Sequence, residues 1–307
     1  MTGLRFSLVG AGSVGCSLAA WIGACGGALQ QVAGRAGSRG TEAGARWLGV
    51  PPTDARNFSS GGEDLLLIAV PDDALSGVAE ALAGRPQAGV ALHVSGVASA
   101  EVLAPLRSGG TAIGGFHPLR AFPTREGAIA AAAGVFFALD GDPNAVALGR
   151  RLTLSFGGSA AVISGGERPL YHLVATMMAG AVTTVAALAM EIAGRSGLPA
   201  EVRPGFAGLA IDALAKALAL ADPAAGITGP AARGDQATFL LELAELERIA
   251  PEAVPIVVAL GRESLRQRAR LATPDPPRQA LADLLARAEL LDLTKDRVLT
   301  SPSKPSG

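Results

Sequence analysis

The chain contains few of the residues from which metal sites, disulfide frameworks and nucleic-acid surfaces are built. Its 307 residues include two cysteines and three histidines, and aromatic residues make up only 4%. Cys16 and Cys25 are too few for a disulfide framework and lack the histidine neighbours of a metal site, so they are typical of a reducing cytosol. The net charge is -1, and the basic residues form no stripe with interleaved aromatics. We therefore expect no metal ion and no nucleic-acid partner.

Long apolar runs are also rare, with one exception. Leu173–Ile192 is almost uncharged over about 20 residues, which is long enough to cross a bilayer. Its residues are mostly Ala, Thr, Val, Met and Gly, and it follows a complete α/β pattern. We interpret it as a helix buried on all sides, within the protein or between subunits. No Lys/Arg-led signal region precedes the apolar N-terminus, so we expect a cytoplasmic protein with no membrane partner.

Glycine, in contrast, is abundant, and the 40 glycines include a motif near the N-terminus. The motif comprises Gly10, Ala11, Gly12, Ser13, Val14 and Gly15, between an apolar run and a helix-compatible stretch. G-x-G-x-x-G between a strand and a helix is typical of dinucleotide sites. Gly10 permits the turn, Gly12 lets the backbone approach a pyrophosphate, and Gly15 allows close helix–strand packing. The alternative is a glycine-rich turn without a ligand.

The segment that follows the second apolar run indicates which dinucleotide binds. This run leads into Arg35, Ser38 and Arg39, and no acidic residue occurs before Glu42. An NAD enzyme usually has Asp or Glu here for the ribose 2′-OH, whereas two guanidinium groups and a hydroxyl suit a 2′-phosphate. We therefore predict NADP rather than NAD. The alternative is a solvated basic loop.

Alternating apolar runs and helical patterns organise the first half of the chain. Seven candidate strands are predicted at Leu4–Val9, Ala28–Ala33, Leu65–Val70, Val90–Val94, Thr111–Gly114, Val135–Leu139 and Ala160–Ile163. Beyond Gly165-Gly166 the pattern predicts only long Ala/Leu-rich helices. The fold class is therefore α/β, a doubly wound Rossmann domain followed by an all-α C-terminal domain. We assign residues 1–164 to the first domain, 165–299 to the second and 300–307 to a disordered tail.

Polar residues at the predicted strand ends are candidates for binding and catalysis, because ligands of doubly wound folds lie outside the carboxyl ends of the strands. Ala69, Val70 and Pro71 should line the nicotinamide ribose. Ser95 and Gly96 are candidates for binding substrate, or they form an ordinary turn.

Two histidines are further candidates. His117 precedes a proline that restricts its backbone, so it is a candidate proton donor or a turn histidine bonded to backbone. His172 opens the long helix and is expected to bind substrate or relay a proton, or to pack at the helix start.

A loop in the second half of the chain combines unusual backbone residues with a charge pair. Gly226–Asp235 contains Thr-Gly-Pro followed by Arg233 and Asp235. Arg233 is a candidate ligand for a substrate carboxylate or phosphate, and Asp235 is a second candidate substrate-site residue. Alternatively, Thr228 caps a helix while Arg233 and Asp235 brace the loop.

Taken in order, these motifs resemble the Rossmann-like proteins that carry a C-terminal DUF2520 domain. The similarity rests on the glycine motif and on Val70-Pro71-Asp72-Asp73, His93-Val94-Ser95-Gly96, Phe116-His117-Pro118-Leu119, Tyr171-His172 and Thr228–Asp235. The wider group is similar to 6-phosphogluconate dehydrogenases and pyrroline-5-carboxylate reductases. The resemblance implies NADP-dependent oxidoreduction and a homodimer formed through the helical domain.

One departure from the family pattern affects the expected chemistry. Ala179-Gly180 stands where the family usually has a Ser-Asn pair. Our leading hypothesis is a reductase of a small carbonyl or imine at the interdomain cleft, with His117 as proton donor and Ser95 and His172 positioning substrate. The alternative is a non-catalytic NADP(H)-binding sensor or scaffold.

Overall fold

The computed structural model describes residues 1–58, 61–85, 88–122, 133–272 and 275–286. The chain forms two compact units, Met1–Gly180 and Ala181–Gly307. The first unit therefore contains the predicted strands and also the first half of the long apolar helix. The tail predicted for residues 300–307 lies outside the described residues.

An eight-stranded, mostly parallel sheet forms the centre of the first unit. The strands are β1 (Arg5–Val9), β2 (Ala28–Gly34), β3 (Pro52–Asp54), β4 (Leu65–Ile68), β5 (Val90–His93), β6 (Ala112–Pro118), β7 (Phe136–Gly141) and β8 (Ser159–Val162). Their spatial order is β3-β2-β1-β4-β5-β6-β7-β8. β2 and β3 are therefore added on one side of β1, and the strands from β4 to β8 are added on its other side. This reversal leaves a crevice between the carboxyl ends of β1 and β4, where doubly wound folds bind ligands.

Apolar residues cover both faces of this sheet, which explains why its central strands are almost continuously hydrophobic. All four residues of β4 are fully buried. Leu65 and Leu67 join a core with Phe6 and Leu8 on one face. Leu66 and Ile68 join a second core on the other face.

The observed strands differ from the predicted ones in three places. The three-residue β3 was not predicted, because it begins at a proline and is too short to show a periodic pattern. β6 continues to Pro118, four residues beyond the predicted end at Gly114. β7 pairs with β6 in antiparallel orientation, an exception that the predicted doubly wound pattern did not indicate. An antiparallel pair does not need the crossover helix that a parallel pair requires.

Five α-helices occur among the described residues of the first unit. They are α1 (Ser13–Ala24), α2 (Arg39–Leu48), α3 (Leu75–Leu82), α4 (Pro143–Ser155) and α5 (Arg168–Thr176). The predicted helix that starts at Ala100 is a 3₁₀ segment, Ala100–Gly109, with Pro105 inside it. Proline lacks the N–H that a regular α-helical hydrogen bond needs at that position.

The described part of the second unit is helical. Its helices are α6 (Val182–Arg195), α7 (Arg203–Leu218), α8 (Pro230–Arg233), α9 (Gln236–Ile249), α10 (Val254–Ala269) and a helical segment over residues 276–286. α8 and α9 are separated at Gly234, whose φ is 75°. Asp235 then caps α9 by accepting a hydrogen bond from the Thr238 N–H at 3.1 Å.

The long apolar segment forms one exposed helix. α5 continues through a π-helical turn at Met177–Ala181 into α6, and the whole helix spans Arg168–Arg195. Its most apolar window has a mean hydropathy of 1.9 and no buried residue, so the expectation of a helix buried within its own chain is wrong. By length and composition alone, this helix could cross a membrane. The described residues of the chain therefore do not bury this helix.

Candidate functional site

The glycine motif forms a cradle of bare main chain at the carboxyl end of β1. Gly10 has a φ of 95°, and a Cβ there would overlap the Ala69 carbonyl. A Cβ on Gly15 would overlap the Gly10 carbonyl and lie 2.9 Å from the Ala69 Cβ. Gly12, the N-cap of α1, has nothing within 4 Å of a Cβ position and is exposed. Two glycines are therefore needed for packing, and the third leaves open space beside the positive end of a helix.

A second predicted cofactor segment lies at the same edge of the sheet as the glycine motif. Ala69, Val70 and Pro71 follow β4, and the Ala69 N–H donates to the Val9 carbonyl at 2.7 Å. We call these residues together with Gly10–Gly15 the glycine cradle. Because β4 is the immediate neighbour of β1, the structure places both segments beside the crevice.

The basic segment follows β2, the other neighbour of β1. Ser38 is the N-cap of α2, and its hydroxyl oxygen accepts from the Thr41 N–H at 3.4 Å. Arg35 and Arg39 are exposed on either side of it. Two guanidinium groups thus flank the N-terminus of a ten-residue helix. This arrangement can bind an anion of the size of a phosphate.

The three histidines of the chain lie close together near the same edge. His93 is the last residue of β5 and is fully buried, whereas His117 lies near the end of β6 and is partly exposed. His172 lies in the first turns of α5, with its ring centroid 6.1 Å from that of His117. The His117 Nδ1 lies 2.9 Å from the hydroxyl of Tyr171. We call His93, His117, Tyr171 and His172 the histidine cluster.

Gly96 is the contact point between two of these histidines. A Cβ on Gly96 would lie 2.8 Å from His117 Nε2 and would overlap His172 Cδ2. The Nε2 edge of His117 therefore faces the main chain at Gly96, while its Nδ1 edge faces Tyr171. Any side chain at position 96 would displace the imidazole groups.

Ser95 has a structural role in the same turn. Its hydroxyl oxygen accepts hydrogen bonds from the N–H groups of Val97 at 3.2 Å and Ala98 at 3.0 Å. The residue is 6% exposed. The Ser95 hydroxyl oxygen therefore stabilises a turn, which was the alternative to substrate binding. Contact between Ser95 and substrate stays a prediction.

A buried ion pair lies next to the histidine cluster. Arg168, the first residue of α5, is fully buried, and its Nη2 lies 2.7 Å from Asp140 Oδ1. Its Nη1 donates to the Ser95 carbonyl at 2.8 Å. Asp140 Oδ2 accepts from the Ala100 N–H at 2.8 Å. Gly115 pairs with Asp140 across β6 and β7, and a Cβ at Gly115 would overlap both charged groups.

Burial and this cation keep two histidines uncharged at neutral pH. The pKa of His117 is lowered from 6.5 to about 4, mainly by burial and in smaller part by the charges of Arg168 and His172. Burial likewise lowers the pKa of His93 to about 4, again with a contribution from Arg168. Burial raises the pKa of Tyr171, and the Arg168 charge opposes that rise. A phenol and a neutral imidazole therefore face each other across the 2.9 Å contact.

A groove of about 990 Å³ lies beside the cluster in the first unit. His117, Tyr171 and His172 contribute to its wall, and much of the remainder is apolar. The apolar wall includes Pro118, Leu119, Ile163, Leu170, Val174 and Met178. A groove of this volume lined by apolar groups and a few converging polar ones is typical of small-molecule sites.

The remaining predicted site residues belong to the second unit. Arg233 is exposed at the end of α8, and Asp235 caps α9. Thr228 does not cap α8, which begins after Gly229. The role of Arg233 and Asp235 in binding substrate stays a prediction. Within the described ranges, no group of three or more His, Cys, Asp or Glu residues could hold a metal ion.

Sequence reasoning missed Arg168, Asp140 and Tyr171 as parts of this site. Asp140 carried a signal, because it is a lone carboxylate at the end of the apolar strand Phe136–Leu139. A buried carboxylate requires a partner charge. Arg168 carried no comparable signal, since an arginine before a proline at a helix start usually lies in solvent.

Two family models match the chain, one in its N-terminal part and the other in its C-terminal part. A Rossmann-like domain model matches residues 2–118, and the model of DUF2520, a domain of unknown function, matches residues 135–264. The chain is a Rossmann-like protein with a DUF2520 domain. The DUF2520 match begins within the sheet, so β7 and β8 are shared with the C-terminal family model. No curated protein matches the sequence significantly.

Solved structures share the fold of this DUF2520 protein at low sequence identity. A Bacteroides fragilis protein assigned as an NADP oxidoreductase has a TM-score of 0.72 and 20% identity, over 85% of this chain and 97% of that one. A Plasmodium falciparum pyrroline carboxylate reductase with NADP bound has a TM-score of 0.53 and 14% identity, over 87% and 99%. A Myxococcus stipitatus imine reductase variant in complex with NAD⁺ has a TM-score of 0.52 and 18% identity, over 86% and 94%. These similarities show the fold.

Proposed function

We propose that this protein is an NADP(H)-dependent oxidoreductase that reduces a small carbonyl or imine compound. The observation that carries the proposal is the placement of the glycine cradle and the histidine cluster along one edge of a single sheet. β6 is the third strand from β1, and strands are spaced by about 4.8 Å, so the two sites are separated by about 14 Å. The similar structures with NADP or NAD⁺ support the same class of chemistry.

The residues of the cradle fit a pyridine dinucleotide. Exposed Gly12 leaves space for a pyrophosphate at the N-terminus of α1, where free N–H groups stabilise negative charge. When bound, the nicotinamide supplies a hydride. Ala69, Val70 and Pro71 are positioned to contact the nicotinamide ribose at the end of β4.

The basic segment supports NADP rather than NAD. Arg35 and Arg39 flank the N-terminus of α2 together with the Ser38 hydroxyl, and such a set of donors matches a 2′-phosphate. The first acidic residue after β2 is Glu42, within the first turn of α2. The ribose hydroxyl of NAD would therefore lack the usual carboxylate partner near Gly34.

The histidine cluster supplies a proton to the reduced atom and orients the substrate. His117 lines the groove and is the candidate proton donor, while His172 and the main chain at Gly96 lie against its ring. The apolar wall of the groove would exclude water from the reacting atoms. Ser95 is held by Arg168 through its carbonyl, which fixes the turn that carries Gly96.

The test is a screen for NADPH oxidation with purified protein against keto acids, aldehydes and cyclic imines. For an accepted substrate, His117→Ala should lower kcat by about 10²–10⁴-fold, the usual contribution of a positioned general acid. The Kd for NADPH, measured by calorimetry, should not change, since His117 is three strands from β1. Leu154→Ala, at an exposed position of α4, is the control. Full activity in His117→Ala would exclude this residue as the donor.

A non-catalytic NADP(H) sensor is the competing function. Ala179-Gly180, in place of the Ser-Asn pair that the family resemblance implies, is the observation that favours it. Tight NADPH binding without turnover across the whole panel would support the sensor. Absence of binding to either reduced coenzyme would contradict both functions.

We further propose that a second copy of the chain covers the exposed apolar helices, which gives a cytoplasmic homodimer. Exposed apolar residues on two helices include Leu173 and Met177 on the long helix, and Leu209 and Ile211 on α7. Soluble proteins rarely leave patches of this kind uncovered. Both helices belong wholly or in part to the DUF2520 segment, residues 135–264.

Light scattering on the purified protein tests the dimer. The wild-type chain should have twice the mass of a monomer, and Ile211→Asp should shift it toward the monomer. Leu154→Asp is a matched control, because Leu154 is 73% exposed, close to the 71% of Ile211, but lies on α4. A monomeric wild type would contradict the dimer, and solubility only in detergent would instead favour a membrane helix at Arg168–Arg195.

A further inference from the structure

We propose that Tyr171 and His117 form a proton relay, in which His117 Nε2 protonates the substrate while the Tyr171 hydroxyl reprotonates Nδ1. This inference rests on the proposed reductase function and identifies the source of its proton. Its geometric basis is the 2.9 Å contact between the Tyr171 hydroxyl and His117 Nδ1, with the opposite ring nitrogen at Gly96. In the relay, the Tyr171 hydroxyl acts on the reaction through His117.

The relay requires one particular tautomer of His117. A neutral imidazole carries one N–H, and burial keeps this imidazole neutral at pH 7 because it lowers the pKa to about 4. In the proposed relay the Tyr171 O–H donates to Nδ1 across the 2.9 Å contact, so the ring proton is on Nε2. This nitrogen lies at the side of the ring that faces Gly96 and His172.

The step balances in atoms and charge. The hydride adds to the carbon of the C=O or C=N bond, and the electron pair of the π bond moves to the oxygen or nitrogen. That atom takes the proton from His117 Nε2, and Nδ1 takes the proton from the Tyr171 hydroxyl. Tyr171 is left as a phenolate and regains a proton from water, which reaches it because the residue is only partly buried.

The relay explains how a histidine with such a low pKa can donate at neutral pH. An imidazolium with a pKa of about 4 is scarce at pH 7, whereas a tyrosine whose pKa is raised by burial keeps its proton. A phenol is still a much stronger acid than the alcohol or amine that forms, so the transfer is favourable.

Arg168 stabilises the phenolate that the relay creates. It lies one helical turn before Tyr171 on α5, and its charge lowers the pKa of the phenol. Asp140 holds this guanidinium in place through the 2.7 Å ion pair. The titratable and charged groups around His117 are Asp72 before α3, His93 on β5, Asp140 on β7, and Arg168, Tyr171 and His172 on α5.

The relay predicts a specific pH dependence. In the wild type, kcat should stay constant from pH 6 to pH 9, because Tyr171 keeps its proton over this range. In Tyr171→Phe, kcat at pH 7 should fall by about 10²-fold, within the usual range for a general acid. It should also decrease with rising pH, since only the scarce imidazolium then donates readily. KM should stay unchanged, and Leu154→Ala should behave as wild type.

A second readout does not need turnover. In ligand-free protein labelled with ¹⁵N-histidine, NMR should show His117 as the Nε2–H tautomer with a hydrogen-bonded Nδ1, and Tyr171→Phe should lose that bond. A proton on Nδ1, or wild-type kcat and pH profile in Tyr171→Phe, would overturn the relay. If no substrate turns over while the tautomer is as proposed, the failure lies with the reductase function. The unfolding transition of Tyr171→Phe should first be measured, because it shows that the variant is folded. A loss of kcat or of the hydrogen bond can then be attributed to the missing hydroxyl.

Discussion

The glycine cradle consists of main chain, whereas the histidine cluster consists of side chains around a buried ion pair. Both lie at one edge of the same sheet. In the cradle, the open space at Gly12 and the positive end of α1 are the features that we propose bind the pyrophosphate. In the cluster, burial and one buried cation together set the charge state, because burial is the main cause of the lowered pKa of both His93 and His117 and Arg168 adds to it. Substitutions should therefore act through packing in the first region and through charge in the second.

The largest effect is expected from Arg168→Met. This change leaves Asp140 as a buried carboxylate without its cation, and breaking a buried pair in this way costs about 3–5 kcal/mol. Denaturant unfolding measures the loss of unfolding free energy. The matched control is Arg248→Met, because Arg248 pairs with Glu245 at side-chain exposures of 68% and 60% and should change stability by less than about 1 kcal/mol. Equal losses in the two variants would contradict the importance of the buried pair.

The pH dependence of stability should come next in size for each histidine taken alone. The folded-state pKa values of His93 and His117 are about 4, below 6.5, so the unfolded chain binds more protons between these values. Their contribution is fully present above about pH 6.5 and is lost as the pH falls toward 4, at about 3 kcal/mol for each histidine. Urea unfolding from pH 7 to pH 4 measures the slope.

The variant His93→Gln sharpens this expectation. It removes one titrating group, so the slope of unfolding free energy against pH should decrease by up to about 1.4 kcal/mol per pH unit. An unchanged slope would show that His93 is not held neutral by the fold.

Within the cradle, two alanine substitutions should separate packing from binding. Gly15→Ala places a Cβ onto the Gly10 carbonyl, so the unfolding free energy should fall by about 1–3 kcal/mol through overpacking. Gly12→Ala meets no atom within 4 Å and should keep full stability, while its NADPH affinity falls because the methyl group occupies pyrophosphate space. Unfolding and calorimetry on both variants check this contrast. Wild-type stability of Gly15→Ala, or wild-type NADPH affinity of Gly12→Ala, would contradict this contrast.

The smallest effect is expected at the exposed basic segment. Arg35→Ala should raise the Kd for NADPH by about tenfold, equivalent to about 1.4 kcal/mol, while the Kd for NADH stays the same. Raising the ionic strength should reduce the difference, since the contact is exposed. Equal changes for the two coenzymes would remove the argument for a 2′-phosphate site.

The sequence could predict the cradle because its signal is local. Glycine at three spaced positions between an apolar run and a helix requires no knowledge of distant residues, and the observed φ and packing at Gly10 and Gly15 follow that pattern. The histidine cluster was predicted only in part. His117 and His172 were candidates, but Tyr171 gained a role only when α5 placed its hydroxyl against a residue 54 positions earlier in the chain.

The alternating apolar runs, the glycine spacing and the change to helical periodicity determined a doubly wound domain followed by a helical one. Tertiary structure alone decided that β7 runs antiparallel, that Arg168 and Asp140 meet beneath Ser95, and that the long apolar helix is exposed. The physical reason is range. Propensity and periodicity act between residues a few positions apart, whereas a buried charge or an uncovered helix face is defined by elements that are distant along the chain.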